Sequence, residues 1–367
     1  MAGGGAGQGA GQRGPGDAGQ RLSHWLTETW ARPTPSLAAR LLQPASWLYR
    51  ALAAGHLALY RSGWRAVQQA PVPLLVVGNL VTGGAGKTPA VIALVKLLRA
   101  QGFTPGVIAR GQGRRGRGVL QVEANSSARQ VGDEPLLIHL RTGAPVAVGA
   151  DRAAAARHLC ARHPTIDLLV ADDGLQHHRL HHDRVVLVFD ERGVGNGLHL
   201  PAGPLRQPLP PQAPADTLVL YNAPAASTPL AGYLGQRHLV GVLPLADWWA
   251  GRSPPADGGW AALPPGPLLA AAGLARPEPF FAMLEAAGLT LQRLPLADHH
   301  PMQPLPWPAD TADVIVTEKD AVKLPPGSTG SSGRTRVWVA PLDFQPEPAF
   351  AEALRSLCAP LRHLHEP

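Results

Sequence analysis

The sequence has few cysteines and no long apolar run. Its two cysteines, Cys160 and Cys358, are too few for a disulfide framework, which favours a reducing compartment such as the cytoplasm. No uncharged apolar segment approaches the about 20 residues that a membrane-spanning helix requires. Residues 1–20 lack the basic start and apolar stretch of a secretory signal. Composition therefore predicts neither a spanning helix nor secretion.

Charged residues are also scarce, at 16% of the chain, yet the formal net charge is +7. This excess favours an anionic partner, which could be a phospholipid surface, a phosphorylated substrate or a nucleic acid. Lysine is rare, and we expect it where a compact point charge is needed. Of the 33 lysines and arginines, only four are lysine: Lys87, Lys96, Lys319 and Lys323.

The length of 367 residues predicts two domains. Apolar strand-like runs alternate with helical patterns from residue 71 onward, which predicts α/β units with mostly parallel sheets. The predicted division is a flexible tail at 1–20, an amphipathic helical segment at 21–70, an α/β domain at 71–222, a Pro/Ala/Gly-rich connector at 223–266 and a smaller α/β domain at 267–360.

The segment before the first strand has the pattern of an amphipathic helix. Two interpretations are open: a helix lying in a membrane interface with its arginines toward lipid phosphates, or a helix packed on its own domain. Pro44 predicts a kink or a break in either case. The apolar stripe comprises Leu37, Leu41, Leu48, Leu52 and Leu59, and roughly opposite lie Arg40, Arg50, Arg61 and Arg65.

A glycine-rich loop follows the predicted strand Leu74–Val77 and precedes a predicted helix at Pro89–Ala100. Glycines let backbone N–H groups turn toward phosphate oxygens, and the helix N-terminus adds a favourable dipole. The alternative is a strand-to-helix turn with an incidental lysine. The pattern predicts a nucleotide-binding loop formed by Thr82, Gly83, Gly84, Ala85, Gly86, Lys87 and Thr88.

Two acids, Asp172 and Asp173, end the apolar run Ile166–Ala171. A buried strand that ends in a carboxylate beside a phosphate-binding loop is typical of a magnesium site. The alternative is a turn whose aspartate caps the next helix.

Four further patterns are weaker alone. The acids of Gly132–Pro135 could be helix caps, Asp298-His299-His300 could be surface residues, and Thr317–Lys323 could be a solvated helix start. His177, His178, His181 and His182 have metal-ligand spacing, but the segment lacks a helical period and favours an exposed turn.

Taken together, the motifs resemble the tetraacyldisaccharide 4′-kinases, which phosphorylate the lipid A precursor of Gram-negative outer membranes. They follow the family's order over most of the chain. The matching segments are Gly78–Pro89, Ala109–Gly111, Gly132–Pro135, Asp151-Arg152, Asp172–His177, Gly195-Asn196, Leu200–Arg206, Asp298-His299 and Thr317–Lys323.

The resemblance implies two Rossmann-like, P-loop-type α/β domains with ATP in the cleft between them. It implies that Asp133 and His299 act as a base dyad; Lys87, which the loop pattern itself places to reach the β- and γ-phosphates, is the third predicted catalytic residue. Thr88, Glu134, Asp172 and Asp173 would surround Mg²⁺. The substrate would contact Arg110, Arg114, Arg115, Gln176, His177 and Arg206.

The resemblance also implies that the N-terminal helix anchors the enzyme to the cytoplasmic face of the bacterial inner membrane. The expected partners are an anionic glycolipid and the phospholipid surface, with no nucleic acid and no obligate protein partner. Departures from the family pattern occur at Val81, Gln112 and Gln207. Two other classes stay open: a P-loop switch, such as a metallochaperone-type GTPase or ATPase, and a non-catalytic membrane adaptor.

Overall fold

The computed structural model describes residues 25–26, 29–30, 32, 34–328 and 335–365, and these form two α/β lobes. The first lobe is a nine-stranded sheet with its helices, and the second is a five-stranded sheet with its helices. The predicted α/β fold class is confirmed. The predicted tail at 1–20 lies outside the described residues.

The strands in chain order are β1 (Leu74–Gly78), β2 (Pro105–Ala109), β3 (Leu120–Val122), β4 (Val146–Val148), β5 (Leu168–Asp172), β6 (Arg184–Asp190), β7 (Thr217–Asn222), β8 (Tyr233–Leu239), β9 (Leu243–Pro244), β10 (Leu268–Ala272), β11 (Leu291–Pro295), β12 (Asp313–Thr317), β13 (Arg336–Ala340) and β14 (Leu342–Pro346).

The α-helices in chain order are α1 (Leu37–Arg61), α2 (Lys87–Ala100), α3 (Ala128–Val131), α4 (Asp133–Thr142), α5 (Arg152–Arg162), α6 (Leu245–Trp249), α7 (Glu278–Ala286), α8 (Glu318–Ala321) and α9 (Pro348–Cys358). Two 3₁₀ turns lie at Trp260–Ala262 and Ala359–His365.

The first sheet has the strand order β14-β8-β7-β6-β1-β5-β2-β4-β3. Its strands run parallel from β8 to β4, and only the edge strands β14 and β3 are antiparallel. β1 lies between β5 and β6, and Val77 pairs with Asp172. Because parallel strands end at the same edge, the loop after β1 and the acids after β5 meet there.

Apolar residues explain why these strands lie at the centre. All five residues of β1 are buried, as are those of β2 and β5. Continuous apolar strands are typical of parallel sheets covered on both faces. The helix α2 covers one face with Val91, Leu94, Val95 and Leu98, each fully buried, and this is the face that the sequence predicted.

The second sheet has the order β11-β10-β12-β13-β9, parallel except at β9. The chain crosses between the lobes twice. β9 follows β8 into the second sheet, and β14 returns to pair antiparallel with β8. The segment after Ala340 therefore lies in the first lobe, whereas sequence reasoning assigned it to the second unit.

The helix α1 is continuous through Pro44 for 25 residues, so proline does not split it. Its inner face docks on the loop that precedes Arg206: the Ser46 hydroxyl donates to the His199 carbonyl at 2.8 Å and accepts from the Ala202 amide at 3.0 Å. The predicted apolar stripe faces outward instead. Leu37, Leu41, Leu48 and Leu52 are between 62% and 76% exposed, and only Leu59 is half-buried.

Among the helices in the described ranges, none combines the length and the apolar character needed to cross a bilayer.

Candidate active site

The predicted nucleotide-binding loop joins β1 to α2, as the sequence indicated. Gly83 and Gly86 have φ angles of +92° and +73°, a region that favours glycine. The Lys87 ammonium lies at the helix N-terminus, 3.3 Å from Asn79 Oδ1 and 3.5 Å from Asp173 Oδ1. The Thr88 side chain is nearly buried beside it. The loop thus combines backbone amides, one ammonium and one hydroxyl, which are groups that suit a phosphate chain, and its nucleotide binding stays a prediction.

The adjacent strand β5 ends in Asp172, and Asp173 follows it. The pKa values of these two carboxyl groups shift in opposite directions. Burial, followed by the charge of Glu134, raises the pKa of Asp172 to about 7. Asp172 Oδ1 is buried and has no hydrogen-bond partner among the described residues. Burial also acts on Asp173, but Lys87 and Arg206 outweigh it and hold the pKa of Asp173 below its ordinary value.

These acids suit a hard divalent cation. Asp172 has a buried carboxylate oxygen without a partner, and Glu134 lies close enough to disfavour its ionisation. A cation among them would relieve this repulsion. Within the described ranges no three His, Cys, Asp or Glu side chains converge closely enough to enclose a metal on their own. The unpartnered oxygen of Asp172 with Glu134 nearby fits Mg²⁺, which binds through one or two carboxylates and keeps waters and substrate phosphates as its other ligands.

A carboxylate–imidazole pair bridges the two lobes. His299 Nδ1 lies 2.8 Å from Asp133 Oδ2, although the two residues are 166 positions apart in the chain. Asp133 begins α4 in the first lobe, and His299 lies in the β11–β12 loop of the second with a φ of +58°. The dyad suggested by the resemblance is therefore present as a contact, and its catalytic role stays a prediction.

The dyad pKa values move in opposite directions. Burial alone would raise the pKa of Asp133, but the hydrogen bond with His299 and the charge of Lys319 lower it. The same hydrogen bond raises the pKa of His299 against burial and the charge of Lys319. The surroundings thus favour a carboxylate at Asp133 and an imidazole that is easily protonated.

Two lysines of Thr317–Lys323 complete this cluster, although the sequence analysis predicted no site role for either of them. Lys319 Nζ lies 3.0 Å from Glu134 and 3.4 Å from His299 Nε2, and Lys323 Nζ lies 3.9 Å from Asp133. The segment is not a solvated helix start, because Asp320 is fully buried and Lys323 is only 7% exposed. The rarity of lysine was the available signal.

Four of the six predicted substrate residues line one cavity of about 400 Å³ that also contains Glu134, Asp172 and Asp173. They are Arg110, Gln176, His177 and Arg206.

The other two predicted substrate residues lie elsewhere. Arg115 lines a second cavity of about 500 Å³ that contains Asp133 and His299. Arg114 lines neither cavity and donates to the Gly118 carbonyl. The first cavity includes a buried arginine that the sequence did not single out for this role: Arg152 donates to the Asp172 carbonyl at 3.0 Å.

The paired histidines do not form a metal centre. His177, His178, His181 and His182 lie in the turns and loop between β5 and β6 rather than on a helix. His177 lines the first cavity, and burial followed by the charge of Arg152 lowers its pKa. It therefore offers a neutral imidazole to that cavity.

Comparisons with known proteins show which family the chain is similar to. The family model described as tetraacyldisaccharide-1-P 4′-kinase, LpxK, matches residues 38–359. A tetraacyldisaccharide 4′-kinase of Methylibium petroleiphilum is 53% identical over 93% of this chain and 95% of its own length. One of Leptothrix cholodnii is 49% identical over 87% of this chain and 92% of its own length.

A solved structure shares the fold. LpxK from Aquifex aeolicus, crystallised in complex with ATP, aligns with a TM-score of 0.70 at 24% identity and covers 89% of this chain and 99% of its own.

Proposed function

Because the chain belongs to the tetraacyldisaccharide-1-P 4′-kinase family, we propose that it transfers the γ-phosphate of ATP to the 4′-hydroxyl of a tetraacyldisaccharide 1-phosphate. It is a lipid kinase of the lipid A pathway. The observation that carries the mechanism is the convergence of three parts at one edge of the first sheet: the loop before α2, the acid pair after β5 and the Asp133–His299 contact.

The donor side of the reaction depends on the loop Thr82–Thr88. Its backbone amides bind the nucleotide phosphates, and Lys87 neutralises the charge that develops on the oxygen bridging the β- and γ-phosphates. The ammonium is already directed into the site by Asn79 and Asp173. Phosphoryl transfer asks little covalent work of the protein, so positioning and charge account for most of the acceleration.

Thr88, Glu134, Asp172 and Asp173 would hold Mg²⁺ as the cation of this site. When bound, it would neutralise phosphate charge next to the scissile bond. The support is the unpartnered oxygen of Asp172 and the raised pKa of its carboxyl group.

The acceptor side depends on Asp133. As the 4′-oxygen forms its bond to the γ-phosphorus and the bond from phosphorus to ADP breaks, the Asp133 carboxylate takes the hydroxyl proton. His299 orients that carboxylate through the 2.8 Å contact and shares the proton. Lys319 and Lys323 keep Asp133 ionised before transfer, since both lower its pKa.

The glycolipid headgroup occupies the cavity that Arg110, Gln176, His177 and Arg206 line. Guanidinium groups suit the anionic 1-phosphate at the far end of the acceptor. Arg206 is fixed for this role, because it contacts Gln176 at 3.1 Å and Asp173 at 3.3 Å. Its carbonyl also accepts from the Tyr49 hydroxyl of α1 at 3.3 Å.

The enzyme works at the cytoplasmic face of the inner membrane, and α1 enters the lipid interface. Its exposed leucines supply apolar area for the acyl boundary, and its arginines pair with lipid phosphates. The contacts of Ser46 and Tyr49 tie the same helix to the loop that ends at Arg206. The helix that enters the membrane is therefore in direct contact with the loop that binds the headgroup.

The test is whether ATP consumption requires the lipid acceptor. Purified enzyme in detergent should release ADP only when the monophosphorylated disaccharide lipid is added. A P-loop switch needs no sugar acceptor, so ADP release at the same rate without lipid would contradict the proposal.

A further inference from the structure

Side chains at the ends of β6 and β7, the two strands on one side of β1, donate hydrogen bonds to the phosphate-binding loop. Arg192 follows the end of β6, and its Nη2 donates to the Gly84 carbonyl at 3.2 Å. Asn222 is the last residue of β7, and its Nδ2 donates to the Ala85 carbonyl at 3.3 Å. Two consecutive carbonyls of the loop are thus bound by side chains from neighbouring strands.

Holding these carbonyls fixes the directions of two amides. In a trans peptide the C=O of one residue and the N–H of the next point in opposite directions. The bond to the Gly84 carbonyl therefore orients the Ala85 N–H, and the bond to the Ala85 carbonyl orients the Gly86 N–H. An anion-binding loop requires amides that all face the phosphate.

The Arg192 guanidinium has a fixed position of its own. Its Nε and Nη2 lie 2.9 and 2.7 Å from Asp190 Oδ2, in a two-pronged pair with a carboxylate that is only 3% exposed. The second lobe contacts the same carboxylate, since Arg276 Nη1 lies 3.6 Å from Asp190 Oδ2, and the neighbouring Glu191 lies 2.6 Å from Arg276 Nη1. A paired arginine of this kind is a rigid donor.

The glycines of the loop leave the space that this support needs. A Cβ at Gly86 would lie 1.9 Å from Asn222 Nδ2, and a Cβ at Gly83 would lie 3.3 Å from Arg192 Nη1. Glycine is therefore required at Gly86 for space as well as for its φ angle of +73°.

We infer that Arg192 and Asn222 are positioning residues for the donor nucleotide, because they hold the Gly84 and Ala85 carbonyls outward and so direct the Ala85 and Gly86 amides at its phosphates. The inference rests on the proposed function, since it requires a nucleotide in this loop. Neither side chain lines either of the two cavities. We therefore expect substitutions at these positions to change ATP binding and to leave glycolipid binding unchanged.

Two conservative variants test it. Asn222→Leu keeps nearly the size of the side chain and removes the N–H donor without adding a charge beside the phosphates. Arg192→Lys keeps the charge beside Asp190, but one ammonium cannot reproduce the fork that reaches both Asp190 and the Gly84 carbonyl. Arg293→Lys is the matched control, because Arg293 forms an exposed pair with Glu285 on the second lobe.

The measurements are the Kd for ATP with magnesium, by equilibrium dialysis, and separate KM values for ATP and for the glycolipid. Each test variant should weaken ATP binding and raise the ATP KM about tenfold, which corresponds to about 1.4 kcal/mol. The glycolipid KM should not change, and the control should match wild type. Circular dichroism establishes that each variant is folded.

An ATP Kd within twofold of wild type in both variants would overturn the inference. So would equal increases in both KM values, or two variants that do not fold, because each result indicates a general structural role. If one variant alone fails to fold, the other decides, since each side chain holds a different carbonyl. Wild-type enzyme that binds no ATP would instead refute the proposed function.

Discussion

Lys87 lies in the proposed phosphate-binding loop, with its ammonium held by Asn79 and Asp173. We expect Lys87→Ala to reduce phosphotransfer at least about 100-fold, because the charge that opposes the developing phosphate charge is lost. The fold should remain intact. Lys96→Ala is the matched control on the same helix. Lys96 is half-exposed, and its ion pair with Asp343 is loose at 3.8 Å. Wild-type turnover in Lys87→Ala would refute the loop's assignment.

Asp133 and His299 should behave as one unit. We expect Asp133→Asn and His299→Ala each to lower kcat by about 10²-fold or more. The double variant should be scarcely worse than either single one, because the contact between the two side chains is already lost. A double-mutant cycle of kcat values measures this coupling. His238→Ala, an exposed histidine of β8, is the control. Effects that multiply independently would argue against a dyad.

Replacement of Asp172 should remove activity and raise the thermal stability of the protein. Its pKa is raised to about 7, so ionisation is disfavoured in the folded state and its cost grows as the pH rises from about 4 through 7. We expect Asp172→Asn to inactivate the enzyme and to raise the melting temperature of the magnesium-free protein at pH 8 by several degrees. At pH 5 the gain should be smaller. Thermal unfolding at both pH values tests this, and a lower melting temperature at pH 8 would contradict it.

At the scale of elements, the proposed membrane contact and the proposed headgroup contact lie on different faces of α1. Its leucines face outward, whereas Ser46 and Tyr49 bind the loop ending at Arg206. We expect Leu41, Leu48 and Leu52 all changed to Gln to shift the enzyme from membrane to soluble fractions, because apolar area drives interfacial binding.

The same loss of membrane binding is expected on deletion of residues 1–66, which also removes the contacts of α1 with the loop. Deletion of residues 1–20 alone is the control and should leave partitioning unchanged. Sedimentation of membranes from expressing cells gives the measurement. Unchanged partitioning of the triple Leu variant would exclude α1 as the interfacial element.

Sequence patterns predicted the elements that depend on local order. Strands β1 and β5 and helix α2 were predicted within two residues of their ends, because an apolar run bounded by glycine or acids reports its own limits. The return of β14 to the first sheet was missed. Its pairing with β8 is antiparallel, at an edge, and joins residues more than 100 positions apart, so no local pattern specifies it.

The site residues divide in the same way, into those that local sequence predicts and those that only the fold brings together. The loop with Lys87 was predicted because a strand and a helix flank it directly, and the acids at the end of β5 because an apolar strand precedes them. The contact between Asp133 and His299 crosses two lobes, and only the family resemblance suggested it. A solvated helix start stayed open for Thr317–Lys323 and no role was predicted for Lys319, because a sequence pattern does not show which carboxylates face a lysine in the fold.

At the scale of the whole molecule, a second ion-pair cluster joins the lobes. Arg141, near the end of α4, lies 2.5 Å from Glu318 at the start of α8 and also pairs with Asp343. Glu318 is 5% exposed and also accepts from Trp248 Nε1 at 2.9 Å. Since α4 begins with Asp133 and α8 carries Lys319, this pair sets how the dyad's two lobes meet.

Removal of Arg141 should therefore affect stability and catalysis together. We expect Arg141→Ala to reduce the free energy of unfolding by about 3 kcal/mol, because it leaves the Glu318 carboxylate buried without its cation. It should also lower kcat. Arg293→Ala, which breaks an exposed pair, should cost about 1 kcal/mol at most. Denaturant unfolding compares the two, and equal small losses would show that the interlobe pair is not needed.

The central claim is that this chain moves a γ-phosphate from ATP to the 4′-oxygen of a glycolipid. The most direct measurement incubates the enzyme with γ-labelled ATP and the monophosphorylated disaccharide lipid in detergent. Mild acid then removes the glycosidic 1-phosphate but spares a phosphate ester at the 4′ position. The account predicts label that stays on the lipid after acid treatment and is absent with Lys87→Ala. Label recovered only as inorganic phosphate, or lost from the lipid in acid, would contradict it.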